Sequence, residues 1–175
     1  MKKLILSACC SLVIAGLFAQ DTEFPREWEI QLKLTNGMIT NFKAAAPDSY
    51  TGALGLAPQY AVIAHKLRVG AVAMAMYNNK QAGGLFGLSS ALKLASLGTK
   101  LFGVGNIHLQ VEHLWGTDKQ VLLGGGPYVE LGHKVLLGIT AHRDYNRNGW
   151  WFQSAIGIKL NKTKAKDLQE FNQLN

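Results

Sequence analysis

The stretch from 133 to 161, HKVLLGITAHRDYNRNGWWFQSAIGIKLN, restricts the fold more than any other, because both of its arms repeat every second residue. The first arm places on one face Val135, Leu137, Ile139 and Ala141. The second arm places on one face Phe152, Ser154, Ile156, Ile158 and Leu160. A repeat of two residues indicates a β-strand with two unlike faces.

Between these arms, DYNRNG supplies Asn and Gly residues that accept the positive φ angles of a tight turn. We therefore predict an antiparallel hairpin that closes around Arg147 and Asn148. In this hairpin Ile139 lies opposite Ile156, on an apolar face. His142 lies opposite Gln153, on a face of small and polar groups.

The same period of two recurs upstream in EWEIQLKLTNG, NIHLQVEHLWG and QVLLGGGPYVELG. TGALGLAPQYAVIAH and KLRVGAVAMAMYNN are predicted as two further strands, joined near His65 and Lys66. Residues 85–101 are ambiguous, because Leu85, Leu88 and Leu92 also fit a helical spacing. As a strand, this segment would complete an even count of about eight, which closed single-chain barrels require; as a helix, it would leave an open sheet or an insertion.

The first residues have the layout of a secretory signal peptide: Lys2 and Lys3, an apolar run from 4 to 18, and the small Ala19 before polar residues. We expect residues 1–20 to be this signal, which would remove both cysteines from the mature chain. A lipidated Cys9 is the alternative, since Leu6 to Cys9 resembles a lipoprotein box. The remaining boundaries are a barrel over 21–161 and a tail over 162–175.

The amino-acid composition bears on whether such strands are surrounded by water or by lipid. The chain is 48% hydrophobic and only 17% charged, whereas an average soluble domain has about 25% charged residues. Its net charge of +7 is scattered in pairs instead of gathered on one helix, and export also argues against a nucleic-acid partner.

The connections favour a membrane barrel. TNFKAAAPDS, NNKQAGG, GTDK and DYNRNG are long and alternate with short turns near His65 and Gly132. An aromatic girdle of the kind found at headgroup level flanks the long connections: Tyr50, Tyr77, Trp115, Tyr145, Trp150 and Trp151. The alternative is a soluble periplasmic ligand-binding barrel of the lipocalin type, which would turn its small and polar face to water.

These features together resemble the small bacterial outer-membrane β-barrel proteins, over nearly all of the mature chain. The resemblance implies an all-β, closed, antiparallel up-and-down transmembrane barrel of about eight strands in the bacterial outer membrane. It also implies contact with outer-membrane lipid or lipopolysaccharide, and with other envelope proteins through outer loops or the tail. Such proteins usually end on an aromatic residue. Here NKTKAKDLQEFNQLN follows the last strand, as a short amphipathic periplasmic helix or a solvated tail.

Polar residues on the inner face predict a plugged lumen, because a barrel of about eight strands leaves only enough room for side chains. The expected lumen network comprises Glu112, Glu130, Lys134, His108, His142 and Gln153, with Glu27, Glu29, Lys33 and Lys159 also pointing inward. Glu130 is expected to pair with Lys134 across the turn at Gly132. No cofactor is implied, and His65, His113 and His133 are too dispersed for a metal site.

An enzyme remains the runner-up to a structural or partner-binding role. His142 and Asp144 share a face near the outer rim, where barrel-type lipid A deacylases and palmitoyl transferases act on lipid headgroups. A histidine oriented by a carboxylate could serve as a general base. The deacylase pattern, however, has Ser where this chain has Asp144, and Ser154 falls on the opposite face. The chain therefore lacks a placed nucleophile.

Overall fold

A computed structural model describes residues 27–42, 48–64, 66–78, 81–99, 103–131 and 134–161. The expected signal peptide, the tail over 162–175 and the helix predicted there lie outside these residues. Eight strands follow one another: β1 (Trp28–Thr40), β2 (Ser49–Ile63), β3 (Leu67–Asn78), β4 (Gln81–Thr99), β5 (Gly103–Gly116), β6 (Val121–Leu131), β7 (Val135–Asp144) and β8 (Trp150–Lys159).

Each strand pairs antiparallel with the next, and β8 pairs with β1 to close the barrel. The predicted all-β, closed, up-and-down barrel is therefore confirmed. The ambiguous segment is a strand up to Thr99, and its leucines lie on both faces: Leu85 is buried in the barrel, whereas Leu88 is exposed outside. A strand with apolar residues on both faces imitates a helical spacing. No helix that could cross a membrane occurs among the described residues.

The strands are strongly tilted, as their pairing around the barrel shows. Starting from Lys33 and moving through β2, β3 and β4, successive partners lead to Gly116 on β5. Moving the other way through β8, β7 and β6 leads to Asn106 on the same strand. Such a stagger is what closing a sheet into a barrel requires, and it places residues of distant strands at one height in the lumen.

The hairpin of β7 and β8 forms, but its register differs from the prediction by two residues. Ile139 lies opposite Ser154 instead of Ile156, and His142 lies opposite Trp151 instead of Gln153. The turn closes earlier because the Asp144 carboxylate accepts hydrogen bonds from the backbone N–H groups of the next residues. Since the shift is an even number, the apolar and the polar faces predicted from the alternation of the two arms are kept.

The two faces are reversed relative to an ordinary soluble protein. Outward-facing Ile139 is 68% exposed, whereas the inward-facing Lys33 and Glu112 are each 1% exposed. The exterior is interrupted by a polar pair at the β1–β8 seam, where the Ser154 hydroxyl donates to the Asn36 carbonyl. The structure therefore has an apolar outer wall, and charged side chains are buried inside it.

The connections define two ends of the barrel. Residues 41–48, 79–80, 117–120 and 145–149 join strands at one end, here termed the loop end. Residues 64–66, 100–102 and 132–134 join strands at the other, here termed the turn end. The difference in length is smaller than predicted, because β3 and β4 extend through NNKQAGG and leave only residues 79–80 between them.

Candidate functional site: the filled lumen and the loop-end rim

Aromatic residues surround the loop end, with one exception to the predicted girdle. Tyr50, Tyr77 and Tyr145 are exposed, and Trp115 and Trp150 are half-buried on the outer wall. Trp151 was expected in this girdle, and that prediction is wrong: consecutive residues of β8 alternate in direction, so its ring is buried inside the barrel. A second aromatic pair, Trp28 and Tyr60, lies at the turn end with ring centroids 5.4 Å apart.

The lumen near the loop end is filled by apolar side chains, a feature that the sequence reasoning missed. This apolar plug consists of Trp151, Leu122, Leu114, Leu85, Met74, Met76, Val72, Ala53 and Ala57. The signal was present in VAMAMY, whose Val and Met residues share the face opposite its alanines. Between this plug and the connections of the loop end lie the buried side chains of Gln120 and Asp144.

Below the plug, an ionic cluster joins three strands that are far apart in sequence. The Lys33 ammonium on β1 lies 2.5 Å from Glu112 Oε1 on β5, and Gln110 Nε2 donates to the same oxygen at 2.9 Å. The other carboxylate oxygen lies 3.2 Å from His142 Nε2 on β7. Because these groups are buried, each charge depends on the others for the interactions that water would otherwise provide.

A second ionic cluster occupies the turn end. Glu29 Oε2 lies 2.6 Å from Arg68 Nη1 and 2.8 Å from Lys159 Nζ. Lys159 also lies 2.5 Å from Glu130 Oε1. The expected pair of Glu130 with Lys134 is therefore wrong. Lys134 is exposed in the turn before β7, outside the lumen, whereas the long side chain of Lys159 enters from the end of β8.

Aromatic and small residues connect the two clusters. His108 stacks on Tyr128 with ring centroids 5.6 Å apart, and Lys33 Nζ lies 5.3 Å from the centre of the same tyrosine ring. A Cβ at Gly138 would lie 2.5 Å from that ring, which explains one glycine of the inner face. Gln153 is also inside, where its amide donates to Thr35 Oγ1 at 3.4 Å.

The two candidate catalytic side chains, His142 and Asp144, have separate hydrogen-bond partners. Asp144 Oδ1 accepts backbone hydrogen bonds from Asn146, Arg147 and Val121, so this carboxylate holds loops together. His142 is bound by Glu112, and its Nδ1 has no hydrogen-bond partner among the described residues. Ser154 is exposed on the outer wall. The structure thus brings a carboxylate to His142, from β5, and within the described ranges no serine or threonine hydroxyl is hydrogen-bonded to this histidine.

The remaining predicted positions lie outside the two ionic clusters or outside the described residues. Glu27 is half-buried just before β1 begins. His113 points outward and packs on Trp115, with ring centroids 4.3 Å apart, while His65 and His133 lie outside the described residues. In the described part of the chain, no group of three His, Cys, Asp or Glu side chains is arranged to hold a metal ion.

Comparison with known proteins supports the fold and goes no further. No protein-family model and no curated protein matches the chain. Among solved structures, the chain is similar to one described as a de novo design of transmembrane β-barrels. The match covers 80% of this chain and 100% of the designed chain, with a TM-score of 0.50 and 14% sequence identity. The likeness agrees with the closed barrel.

Proposed function

We propose that this protein is an integral outer-membrane β-barrel with a structural or partner-binding role and a filled, non-conducting lumen. The observation that supports this most strongly is the reversal of faces: large apolar side chains cover the wall while lysine, arginine and glutamate side chains are buried inside. In water, such a wall would expose an apolar surface far larger than soluble monomers carry. In a bilayer, the same wall is matched to its solvent, and closure leaves no unpaired strand edge.

The dimensions of the barrel fit a bilayer. The shortest strands, β7 and β8, have 10 residues each, and a tilted strand needs about 9–11 residues to cross the hydrocarbon core. Aromatic side chains lie at both ends of the wall, at the heights expected for the two headgroup regions. The likeness to designed transmembrane barrels is consistent with this environment.

The bacterial outer membrane is the proposed location because the chain begins with a signal-like segment, and exported barrels are inserted there. Its surroundings would be outer-membrane lipid or lipopolysaccharide. Other envelope proteins are proposed partners, through the loop end outside the cell or through residues 162–175 on the periplasmic side.

A soluble lipocalin-like barrel receives no support from the side-chain arrangement. A ligand-binding barrel needs an interior cavity, whereas here the apolar plug and the two ionic clusters occupy successive levels of the lumen. The outward position of residues such as Leu54, Leu88 and Ile139 would also leave that barrel with an apolar surface in water.

Fractionation tests the proposal. We expect the full chain to remain with outer membranes after high-salt and alkaline washing. On a gel it should migrate differently before and after boiling, since folded membrane barrels resist detergent at room temperature. A chain recovered in the soluble periplasmic fraction, with identical migration before and after boiling, would reject the proposed function.

The filled lumen predicts negligible ion conductance. Two layers of salt-bridged side chains and the apolar plug lie across the lumen in the described part of the barrel. We therefore expect the purified protein to show no steady openings in planar-bilayer recordings. Glu112→Ala, with Lys33→Ala, removes the central pair and is the matched variant for detecting any latent path. Large, steady channels in the unmodified protein would contradict the account.

The enzyme alternative makes a separate prediction for His142. If this side chain only bonds Glu112, His142→Ala should leave lipid A acylation unchanged, as measured by mass spectrometry of extracted lipid. His113→Ala, on the outer wall, serves as a control for unspecific effects. The contrary result would be a lipid A acyl chain pattern that differs between His142→Ala and the unmodified protein. If the variant barrel still shows its folded gel migration, that difference would establish an enzymatic role.

A further inference from the structure

Two neighbouring loops at the loop end are tied to each other by hydrogen bonds. The Asn146 side chain donates to the Lys119 carbonyl at 2.7 Å, and the Arg147 guanidinium donates to the Asp118 carbonyl at 2.9 Å. The Tyr145 backbone N–H donates to the Val121 carbonyl at 2.9 Å. We call residues 117–120 and 143–150 the braced rim, since the β5–β6 and β7–β8 loops form one unit there.

One residue of the braced rim, Asp144, has a buried carboxylate that holds the two loops. Asp144 Oδ1 accepts from the backbone N–H groups of Asn146 at 3.0 Å, Arg147 at 3.1 Å and Val121 at 3.4 Å. Lys119 and Asn148 adopt left-handed backbone conformations, with φ of 63° and 57°. The loops are therefore shaped by their own contacts, before any ligand binds, which lowers the entropic cost of binding one.

The braced rim carries cations that have no carboxylate partner among the described residues: Lys119, Arg143 and Arg147. The Arg143 guanidinium lies over the Trp150 ring, 5.4 Å from its centre, and donates to the Asn148 carbonyl at 3.1 Å. The nearby Asp118 carboxylate accepts from Gln120 at 3.4 Å. The surface charge of this unit is thus positive, and its arginines are held in place by neutral acceptors.

We propose that the braced rim binds the phosphate group of an anionic lipid in the surrounding leaflet; this rests on the proposed membrane location. A guanidinium presents a planar set of donors that matches phosphate oxygens, and it binds most strongly where it is preorganised. The height is also right, because the exposed Tyr145 and half-buried Trp150 mark the headgroup region beside these arginines.

The position of Arg143 favours a lipid over an acidic protein. This residue belongs to β7 and points outward, on the same side of the strand as the lipid-facing Ile139 and Ala141. Its guanidinium is therefore on the wall of the barrel, beside a neighbouring headgroup. A protein that approached from the aqueous side would meet Arg147 at the loop first, and would need neither Arg143 nor Trp150.

The test uses the full chain, purified and refolded in zwitterionic detergent, and native mass spectrometry to measure bound lipid. Phosphatidic acid supplies a lipid phosphate monoester. Phosphatidylcholine, with acyl chains of similar length, supplies a headgroup without net charge. We expect phosphatidic acid to be retained preferentially. Arg143→Gln with Arg147→Gln should weaken its retention by about fivefold for each charge removed, whereas Lys134→Gln, exposed at the turn end, should have no effect.

Each other outcome has a defined meaning. Equal retention of the two lipids, or equal weakening by Lys134→Gln, would overturn the proposal. Competition by millimolar inorganic phosphate as strong as that by phosphatidic acid would overturn the assignment to a lipid. Heat-dependent gel migration, recorded on the same samples, separates these results from a failure of the membrane barrel itself: a correctly folded barrel without lipid preference rejects only the braced rim.

Discussion

Replacing Glu112 with leucine is expected to lower the free energy of unfolding by about 3–5 kcal/mol. Glu112 is the shared partner of Lys33, Gln110 and His142 within the barrel. Its loss would leave the Lys33 ammonium buried without a counter-ion, so the expected cost includes an uncompensated charge as well as lost contacts. Equilibrium unfolding in urea, followed by tryptophan fluorescence in lipid vesicles, measures the change.

A paired variant distinguishes this explanation from simple loss of packing. Lys33→Met combined with Glu112→Leu removes both charges and keeps similar volumes, so it should recover most of the stability lost by Glu112→Leu alone. A double variant as unstable as the single one would show that the ion pair is not the source of the effect. A single variant within about 0.5 kcal/mol of the original protein would contradict a tightly filled lumen.

Ile139→Arg is expected to destabilise the inserted barrel by about 2–4 kcal/mol, because it places a charge on the outer wall near the middle of a strand. Ile156→Arg on β8 should behave alike. The same unfolding experiment in vesicles measures both. The cost should fall to about 0–1 kcal/mol for Tyr145→Arg, since that position lies at headgroup height.

Inward and outward substitutions at adjacent positions should fail for different reasons. Thr140→Arg introduces its side chain into the filled lumen, so its cost comes from crowding and should not depend on bilayer thickness. Ile139→Arg, by contrast, should become less costly in thinner bilayers. A chain that carries Ile139→Arg and stays folded and soluble in water would mean that the faces are assigned backwards.

The strands and their two faces could be predicted from sequence because a period of two is a local property. Val135, Leu137 and Ile139 indicate their common face without knowledge of any partner strand. The sequence of segment 85–101 is ambiguous because β4 has apolar residues on both faces, inward against the plug and outward on the wall. Closure of the barrel decides it, and closure depends on the whole chain.

The contacts inside the lumen could not be predicted in the same way. Lys33 and Glu112 meet because strand tilt brings β1 and β5 to one height, and neither strand is a neighbour of the other in the sheet. The spacing of Lys134 to Glu130 predicts a position in the lumen, but the turn carries Lys134 outside. Lys159, remote in sequence, takes that place because its long side chain reaches inward from the strand end.

The candidate site was only partly visible in the sequence for a related reason. His142 and Asp144 share an inward face, as predicted, yet each has a different partner from the one that spacing indicates. The Asp144 carboxylate accepts hydrogen bonds from backbone N–H groups of its own loop and of Val121. His142 is hydrogen-bonded to Glu112. Side chains two residues apart on a strand lie on the same face, but this spacing does not bring them into contact.

Spin-label accessibility along β7 tests the central claim, that the apolar wall faces lipid, most directly. In the full chain with Cys9 and Cys10 replaced by serine, single cysteines at positions 135–141 would be labelled with a nitroxide and the barrel inserted into vesicles. Collisions with oxygen, which concentrates in lipid, should be frequent at Leu137 and Ile139 and rare at Leu136 and Thr140. The claim that the wall faces lipid would be contradicted by frequent collisions of a water-soluble nickel complex at Leu137 and Ile139, together with oxygen collision rates that do not alternate along the strand.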